Sequence, residues 1–302
     1  MPTPKRVQIV EVSARDGLQA EARTLSTDIK LALLDRLADA GHTVIEATSF
    51  VSPTAVPQLA DADDVLRRLV RRPGVRYPVL VPNERGLERA IAAGADEIAV
   101  FVSAAEGYAR KNLRRSRDEA VANAVAVAKA AAASGRRVRG YISMVIADPD
   151  DGPTAPEQVT RIAEELLAAG CGEISLGDTI GVGTPADVRR LIAVHERAGI
   201  GVGRLAVHFH DTYGQALVNV LTALELGVTT VDASTGGTGG SPFAKSAAGN
   251  LPTEDLLWML DGMGIATGVD LRASAGISAW LADLLGHPPP GRVARALTGV
   301  PA

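Results

Sequence analysis

Eight short β-branched runs alternate with amphipathic helical windows from one end of this 302-residue chain to the other. The runs lie at 7–12, 43–48, 77–81, 97–102, 138–145, 173–178, 205–210 and 230–234. Each is mostly apolar, as parallel strands covered on both faces require. The windows 28–40, 59–72, 84–93, 117–134, 156–169, 185–199 and 215–227 keep helical spacing between them. In 28–40, Ile29, Leu33, Leu34 and Leu37 line one face while Lys30, Asp35, Arg36 and Asp39 take the other. Ser26 or Thr27, and later Thr184-Pro185, supply helix starts; Gly41, Gly94, Gly170, Gly199 and Gly227 supply stops. Such alternation admits an α/β doubly wound sheet or a (β/α)8 TIM barrel, and a count of eight favours the barrel. Beyond Asn250 the pattern stays helical and then breaks at prolines 288–290. We expect a single TIM-barrel catalytic domain over 1–302, with the last barrel helix and appended C-terminal helical elements in about 251–302.

The bulk properties narrow the function classes. A net charge of −4 and short, interrupted basic stretches argue against a nucleic-acid partner. The one cysteine, Cys171, allows no intramolecular disulfide and no thiolate metal cluster. It precedes the sixth run, away from the strand C-termini, and reads as an inert buried thiol. No run approaches eighteen apolar residues, so no membrane partner is expected. The N-terminus lacks the charged and apolar regions of a secretory leader, which makes a cytoplasmic protein the expectation. A homo-oligomer is compatible with the composition.

Barrel chemistry sits at the C-terminal ends of the strands, and here those ends are polar. Arg15-Asp16-Gly17-Leu18-Gln19 follows the first run, Glu46-Ala47-Thr48-Ser49 ends the second, and Ser175-Leu176-Gly177-Asp178-Thr179 ends the sixth. The seventh ends in His208-Phe209-His210-Asp211-Thr212-Tyr213. After the eighth come Gly236-Gly237-Thr238-Gly239-Gly240-Ser241, then Gly249-Asn250 and Glu254. Residues i and i+2 of a strand share a face, so His208 and His210 can converge on one ion. Two hydrogen-bonded structural histidines are the plainer alternative, weakened by the placement at a barrel mouth. Asp16 offers a carboxylate from the neighbouring strand end, although Asp-Gly alone also marks a surface turn. Asn250 offers an amide oxygen. Two imidazoles, a carboxylate and a neutral oxygen leave two octahedral positions open, which suits Mg²⁺ or Mn²⁺. A similar triad serves non-haem iron oxygenases, so the ligands alone do not fix the chemistry. Arg15, Glu46 and Asp178 read equally as rim charges, except that Glu46 interrupts an apolar strand and needs a partner, for which Arg15 is the candidate. The glycines at 236–240 fit either a rim turn or a mobile lid.

Five segments in register resemble the hydroxymethylglutaryl-CoA lyase family. They are 7–19, 44–53, 175–185, 208–217 and 249–255, within a likeness spanning roughly 7–270. The resemblance implies a (β/α)8 barrel of the metal-dependent lyase and synthase superfamily. Such an enzyme splits 3-hydroxy-3-methylglutaryl-CoA into acetyl-CoA and acetoacetate with Mg²⁺ or Mn²⁺, late in leucine degradation. It implies Asp16, His208, His210 and Asn250 as metal ligands and Arg15 as the residue that stabilises the enolate. Glu46, Asp178 and Glu254 match further functional carboxylates, and Arg15, Gln19, Ser49 and Thr179 are the expected substrate contacts. The implied reaction has His208 or Asp16 take the hydroxyl proton before the C2–C3 bond breaks. Synthase relatives usually continue Asn-Asp after the two histidines and carry a further C-terminal domain. Asp211-Thr212 stands here instead, which places the chain on the lyase branch.

Two positions depart from the family. Its glycine-rich-loop cysteine, which takes part in proton transfer, is Ser241 here, with Lys245, Ser246 and Ala247 also differing nearby. A thiol near pKa 8.5 exchanges protons at neutrality and an alcohol does not, so Ser241 is expected to hold a relay water or the substrate. A lysine common after the first motif is replaced by Ala22, with Arg23 following. These changes leave room for two other readings: a related lyase or aldolase for another 3-hydroxyacyl-CoA, and a non-catalytic barrel that binds metal and acyl-CoA. An acyl-CoA is the expected partner in all three.

Overall fold

A computed structural model describes residues 3–240 and 249–299. Among them, eight parallel strands form one sheet. They are β1 (Gln8–Glu11), β2 (Thr48–Ser49), β3 (Val79–Leu80), β4 (Glu97–Ser103), β5 (Arg137–Ser143), β6 (Glu173–Asp178), β7 (Leu205–Phe209) and β8 (Thr230–Ala233). From β2 to β8 each pairs with its sequence neighbour, and β8 pairs with β1. A parallel bridge from Glu11 to Ile45 joins β1 to the entry of β2. There the Glu11 amide donates to the Val44 carbonyl at 3.0 Å, and the Glu46 amide donates to the Glu11 carbonyl at 2.9 Å. The sheet therefore closes, which a doubly wound sheet does not do.

A helix follows each strand: α1 (Thr27–Asp39), α2 (Ala62–Arg68), α3 (Glu84–Ala92), α4 (Arg117–Ala133), α5 (Pro156–Ala168), α6 (Pro185–Arg197), α7 (Ala216–Glu225) and α8 (Thr253–Gly262). The appended elements are α9 (Leu271–Leu285) and α10 (Arg292–Thr298). Ser26 proves to be the first N-cap, accepting from the Ile29 amide, and Thr184 forms a capping box with Asp187. The main core lies between strands and helices, where Leu33, Leu37, Leu66, Ile98, Val127 and Ile174 are buried. Val10, Val12 and Val44 form a separate small cluster.

Three local expectations are corrected. The window 59–72 divides into a 3-10 turn, Pro57–Leu59, and the short α2, because the backbone leaves the helical region at Leu69 before Pro73-Gly74. Lys30 is buried rather than solvent-facing, its ammonium donating to the Gln58 carbonyl and pairing with Asp61 at 2.6 Å. The ladder of β2 is confined to Thr48–Ser49, with isolated bridges at Val44 and Ile45 preceding it. A small hairpin, Ala147–Asp148 with Gly152–Pro153, was not indicated by the run at 138–145.

Candidate metal centre and active site

Beyond β1 the backbone makes a π-helical turn, Ser13–Gly17, which presents Arg15 and Asp16 side by side. Arg15 is buried, and its Nε donates to Glu46 Oε2 at 2.7 Å while Nη1 donates to Asp16 Oδ1 at 2.5 Å. Its guanidinium carbon lies 5.5 Å from the Tyr141 ring centroid. Burial alone would weaken the Arg15 cation, but Glu46 and Asp16 outweigh it and keep the group firmly protonated. Glu46 is fully buried; burial pushes its carboxyl up against the pull of Arg15, and Oε1 has no partner. The expected Arg15–Glu46 pair therefore exists.

Both histidines are held through Nδ1. His208 Nδ1 lies 3.3 Å from Asp232 Oδ2, and His210 Nδ1 lies 3.1 Å from the backbone oxygen of Asp178. Acceptors of this kind fix the proton on Nδ1 and leave each Nε2 free to ligate. The ring centroids stand 5.2 Å apart. His210 is driven down to about 4 by burial and by His208, so it is neutral at physiological pH. Burial would also lower His208, but its bond to Asp232 and the charges of Asp16 and Asp232 raise it.

Asp16, His208 and His210 bring one ligand atom each within 4.8 Å of one another. Burial opposes ionisation of Asp16, yet Arg15, the two histidines and Asn250 hold it near 2, so it stays a carboxylate. Asn250 is bridged to His210 through the backbone. Its Nδ2 donates to Asp16 Oδ2 at 2.9 Å and to the Thr238 carbonyl at 3.0 Å. Its Oδ1 is buried without a partner. A carboxylate, two free imidazole nitrogens and an orphaned amide oxygen are a donor set a hard divalent ion satisfies. Asp16, His208 and His210 stand together, and Asn250 adjoins them through its bond to Asp16.

The HMGL-like family model matches residues 6–280. The mitochondrial hydroxymethylglutaryl-CoA lyase of Rattus norvegicus is 49% identical over 295 residues, covering 97% of this chain and 90% of its own. This chain belongs to the HMGL-like family. The crystal structure of hydroxymethylglutaryl-CoA lyase from Pseudomonas aeruginosa superposes with a TM-score of 0.95 at 44% identity, covering 99% of each chain. An HMG-CoA lyase from Acinetobacter baumannii, in complex with coenzyme A and 3-methylmalate, gives 0.92 at 36% identity over 99% of this chain and 98% of its own.

Within this HMGL-like barrel, the sequence had not pointed to the group behind His208. Asp232 is paired directly opposite His208 in the β8–β7 ladder. It also accepts from Arg139 Nη1 and Nη2 at 3.1 and 2.6 Å and from Ser175 Oγ at 2.8 Å. Burial works against its charge, but Arg139 and His208 hold it well below the usual carboxylate range. Arg139 and Asp232 are charges inside apolar strands, the same feature that marked Glu46. Asp232→Asn keeps the shape but weakens the hold on His208 Nδ1. Metal affinity should fall roughly 10- to 100-fold, the usual cost of disturbing a ligand's support, read by Mn²⁺ titration; unchanged affinity would leave Asp232 a partner of Arg139 only.

The other expected residues divide. Asp178 is buried; Oδ2 accepts from the Gly183 amide at 2.8 Å and Oδ1 has no partner. Burial, against the amides of residues 181–183, pushes its carboxyl up to about 6. Thr179 Oγ1 accepts from the Met144 amide at 3.0 Å, which ties β6 to the end of β5. Ser49 is buried with its hydroxyl unpartnered, while Gln19 is half-buried just past the Arg15 turn. Glu254 does not join the ligand cluster. It accepts from the Gly236 amide at 2.9 Å, and burial with Glu11 and Asp255 nearby raises it to about 8. Cys171 is buried, and burial pushes its thiol up to about 12. Ser241, Lys245, Ser246 and Ala247 lie outside the described residues. No helix of the described residues is long and apolar enough to cross a membrane.

Proposed function

We propose that this chain is a carbon–carbon lyase that cleaves 3-hydroxy-3-methylglutaryl-CoA to acetyl-CoA and acetoacetate, in leucine catabolism. Mg²⁺ or Mn²⁺ is held by Asp16, His208, His210 and Asn250, and residues 1–302 work as one catalytic domain. The observation that carries the reading is the convergence of these four side chains beside a buried, fixed Arg15. The relatives named as hydroxymethylglutaryl-CoA lyases, one of them with coenzyme A, support the substrate class.

A bound hard ion lowers the pKa of a chelated hydroxyl. The chain's own groups supply the rest. Arg15, locked by Glu46 and Asp16, presents a fixed cation to the enolate oxygen that develops as C2–C3 breaks. The electron pair of that bond moves to the thioester fragment, and the hydroxyl carbon becomes the ketone of acetoacetate. Asp16, near 2, is too weak a base for the hydroxyl proton. His208, with its Nδ1 proton turned to Asp232 and its Nε2 needed for the ion, has no lone pair left, so Asp178, near 6 with one open oxygen, is left to take it and return one to C2. Gln19, Ser49 and Thr179 line the substrate's approach, and Glu254 supports the glycine-rich segment through Gly236.

Ser241 and Ala22 favour one second reading, the same cleavage of a different 3-hydroxyacyl-CoA. The deciding experiment offers hydroxymethylglutaryl-CoA and bulkier 3-hydroxyacyl-CoAs to the Mg²⁺-loaded protein and identifies the products. Acetyl-CoA plus acetoacetate is expected, lost on chelation and restored by Mg²⁺ or Mn²⁺. Fast cleavage of only a larger substrate replaces the first reading with the second. Metal uptake without cleavage of any substrate refutes both.

A further inference from the structure

We propose that Glu11 is a positioning residue of the metal centre: from the helix side of the barrel wall, it holds in register the segments that carry Asp16 and Asn250. The proposal rests on the reading of those two residues as ligands.

Glu11 ends β1 and is fully buried. Val10 and Val12 belong to one small cluster, whereas Ile9 joins the core shared with the helices. Alternation along the strand puts Glu11 with Ile9. A carboxylate in that layer needs its lone pairs filled, and four donors fill them. Oε1 accepts from the amides of Ser13 at 2.9 Å and Thr235 at 3.0 Å. Oε2 accepts from the hydroxyls of Thr235 at 2.9 Å and Thr253 at 2.7 Å. His42 Nε2 stands 3.7 Å from Oε2.

Each donor opens a segment of the site. Ser13 begins the turn bearing Arg15 and Asp16. Thr235 begins the turn into the glycine-rich stretch, in which the Thr238 carbonyl receives Asn250 Nδ2. Thr253, three residues past Asn250, begins α8. The backbone of Glu11 itself closes the barrel beside Glu46. The segments it gathers touch so closely that side chains are excluded. A Cβ on Gly239 would sit 2.5 Å from Asn250 Nδ2 and 3.0 Å from the Gly17 Cα, and one on Gly249 would sit 2.0 Å from the Gly237 carbonyl oxygen. Backbones packed this tightly transmit a shift at Thr235 or Thr253 to Asn250. Truncating Glu11 would orphan four buried donors, and the segments would move to satisfy them. Metal sites tolerate only about 0.5 Å of such movement.

The test measures the Mn²⁺ dissociation constant and the melting temperature of the full chain and three variants. Glu11→Ala should weaken Mn²⁺ about 100-fold, and Thr253→Val, which deletes one donor, about 10-fold with a smaller fall in melting temperature than Glu11→Ala. Glu11→Gln should stay within about 2-fold, because its Oε1 accepts both amides while the two hydroxyls turn to accept from Nε2. If Glu11→Ala does not fold, the other two variants carry the test. Unchanged affinity in Thr253→Val, or loss in Glu11→Gln as large as in Glu11→Ala, overturns the proposal. A wild-type chain that takes up no Mn²⁺ refutes the metal reading itself, and this proposal with it.

Discussion

Arg15→Met should lower kcat on hydroxymethylglutaryl-CoA by about 10²- to 10³-fold and leave KM nearly unchanged, the pattern seen when an oxyanion donor is removed. The enolate charge exists only near the transition state, so the interaction lost is absent from the ground state. Methionine keeps the unbranched stem of Arg15 out to about the Nε position, which limits collapse of the turn. It also removes the cation facing Glu46 Oε2 and Asp16 Oδ1. Glu46 is buried, and burial already pushes its carboxyl up, so without Arg15 it takes up a proton rather than remaining an unpaired charge. The double variant Arg15→Met with Glu46→Gln separates the effects. If the double variant is as slow as the single one, the deficit is the missing cation. Recovery would instead place it in the orphaned carboxylate. An equal kcat with a raised KM would make Arg15 a binding residue.

The parts of this architecture that follow from neighbours in sequence were readable in advance. Eight runs at parallel-strand composition gave the barrel, and an i, i+2 pair at a strand end gave two convergent imidazoles. Glu46 in an apolar strand demanded a cation, and the nearest strand end supplied Arg15. What escaped depends on register between distant strands. Arg139 and Asp232 stand 93 residues apart and meet across the barrel, with Ser175 and His208 completing the group. Nothing along β5 or β8 alone says which residue lies opposite which. Glu11 escaped because its donors come from loops whose path depends on the closed barrel. Lys30 was misplaced for a similar reason: helical spacing assigns a face, but not whether the next element brings Asp61 and a carbonyl to meet a lysine there. The π-helical turn at Ser13–Gly17 also exceeds local rules, since Asp-Gly marks a turn without specifying its pitch.

Ser241→Cys should raise kcat on hydroxymethylglutaryl-CoA by about 10²-fold, the lower end of what a positioned general acid or base contributes. The family places a cysteine at this position, and its thiol, near pKa 8.5, exchanges a proton at neutral pH where an alcohol does not. The rest of the site fits the same cleavage: Asp16, His208 and His210 converge, Arg15 is fixed, and burial pushes the Asp178 carboxyl up to about 6. If only the proton carrier is missing, restoring it repairs the slow step. KM should change little, because serine and cysteine differ by one atom and the gain lies in proton transfer. The competing account holds that the loop is tuned to another acyl-CoA, with Ala22 in place of a lysine as part of the same change. The substitution then helps little, and the wild-type chain is already fast on a bulkier 3-hydroxyacyl-CoA. One assay of both variants on both substrates distinguishes these accounts. Should wild type instead turn over hydroxymethylglutaryl-CoA at full speed with no gain from the thiol, proton return to C2 belongs to Asp178. Asp178→Asn would then abolish the step that Ser241→Cys failed to accelerate.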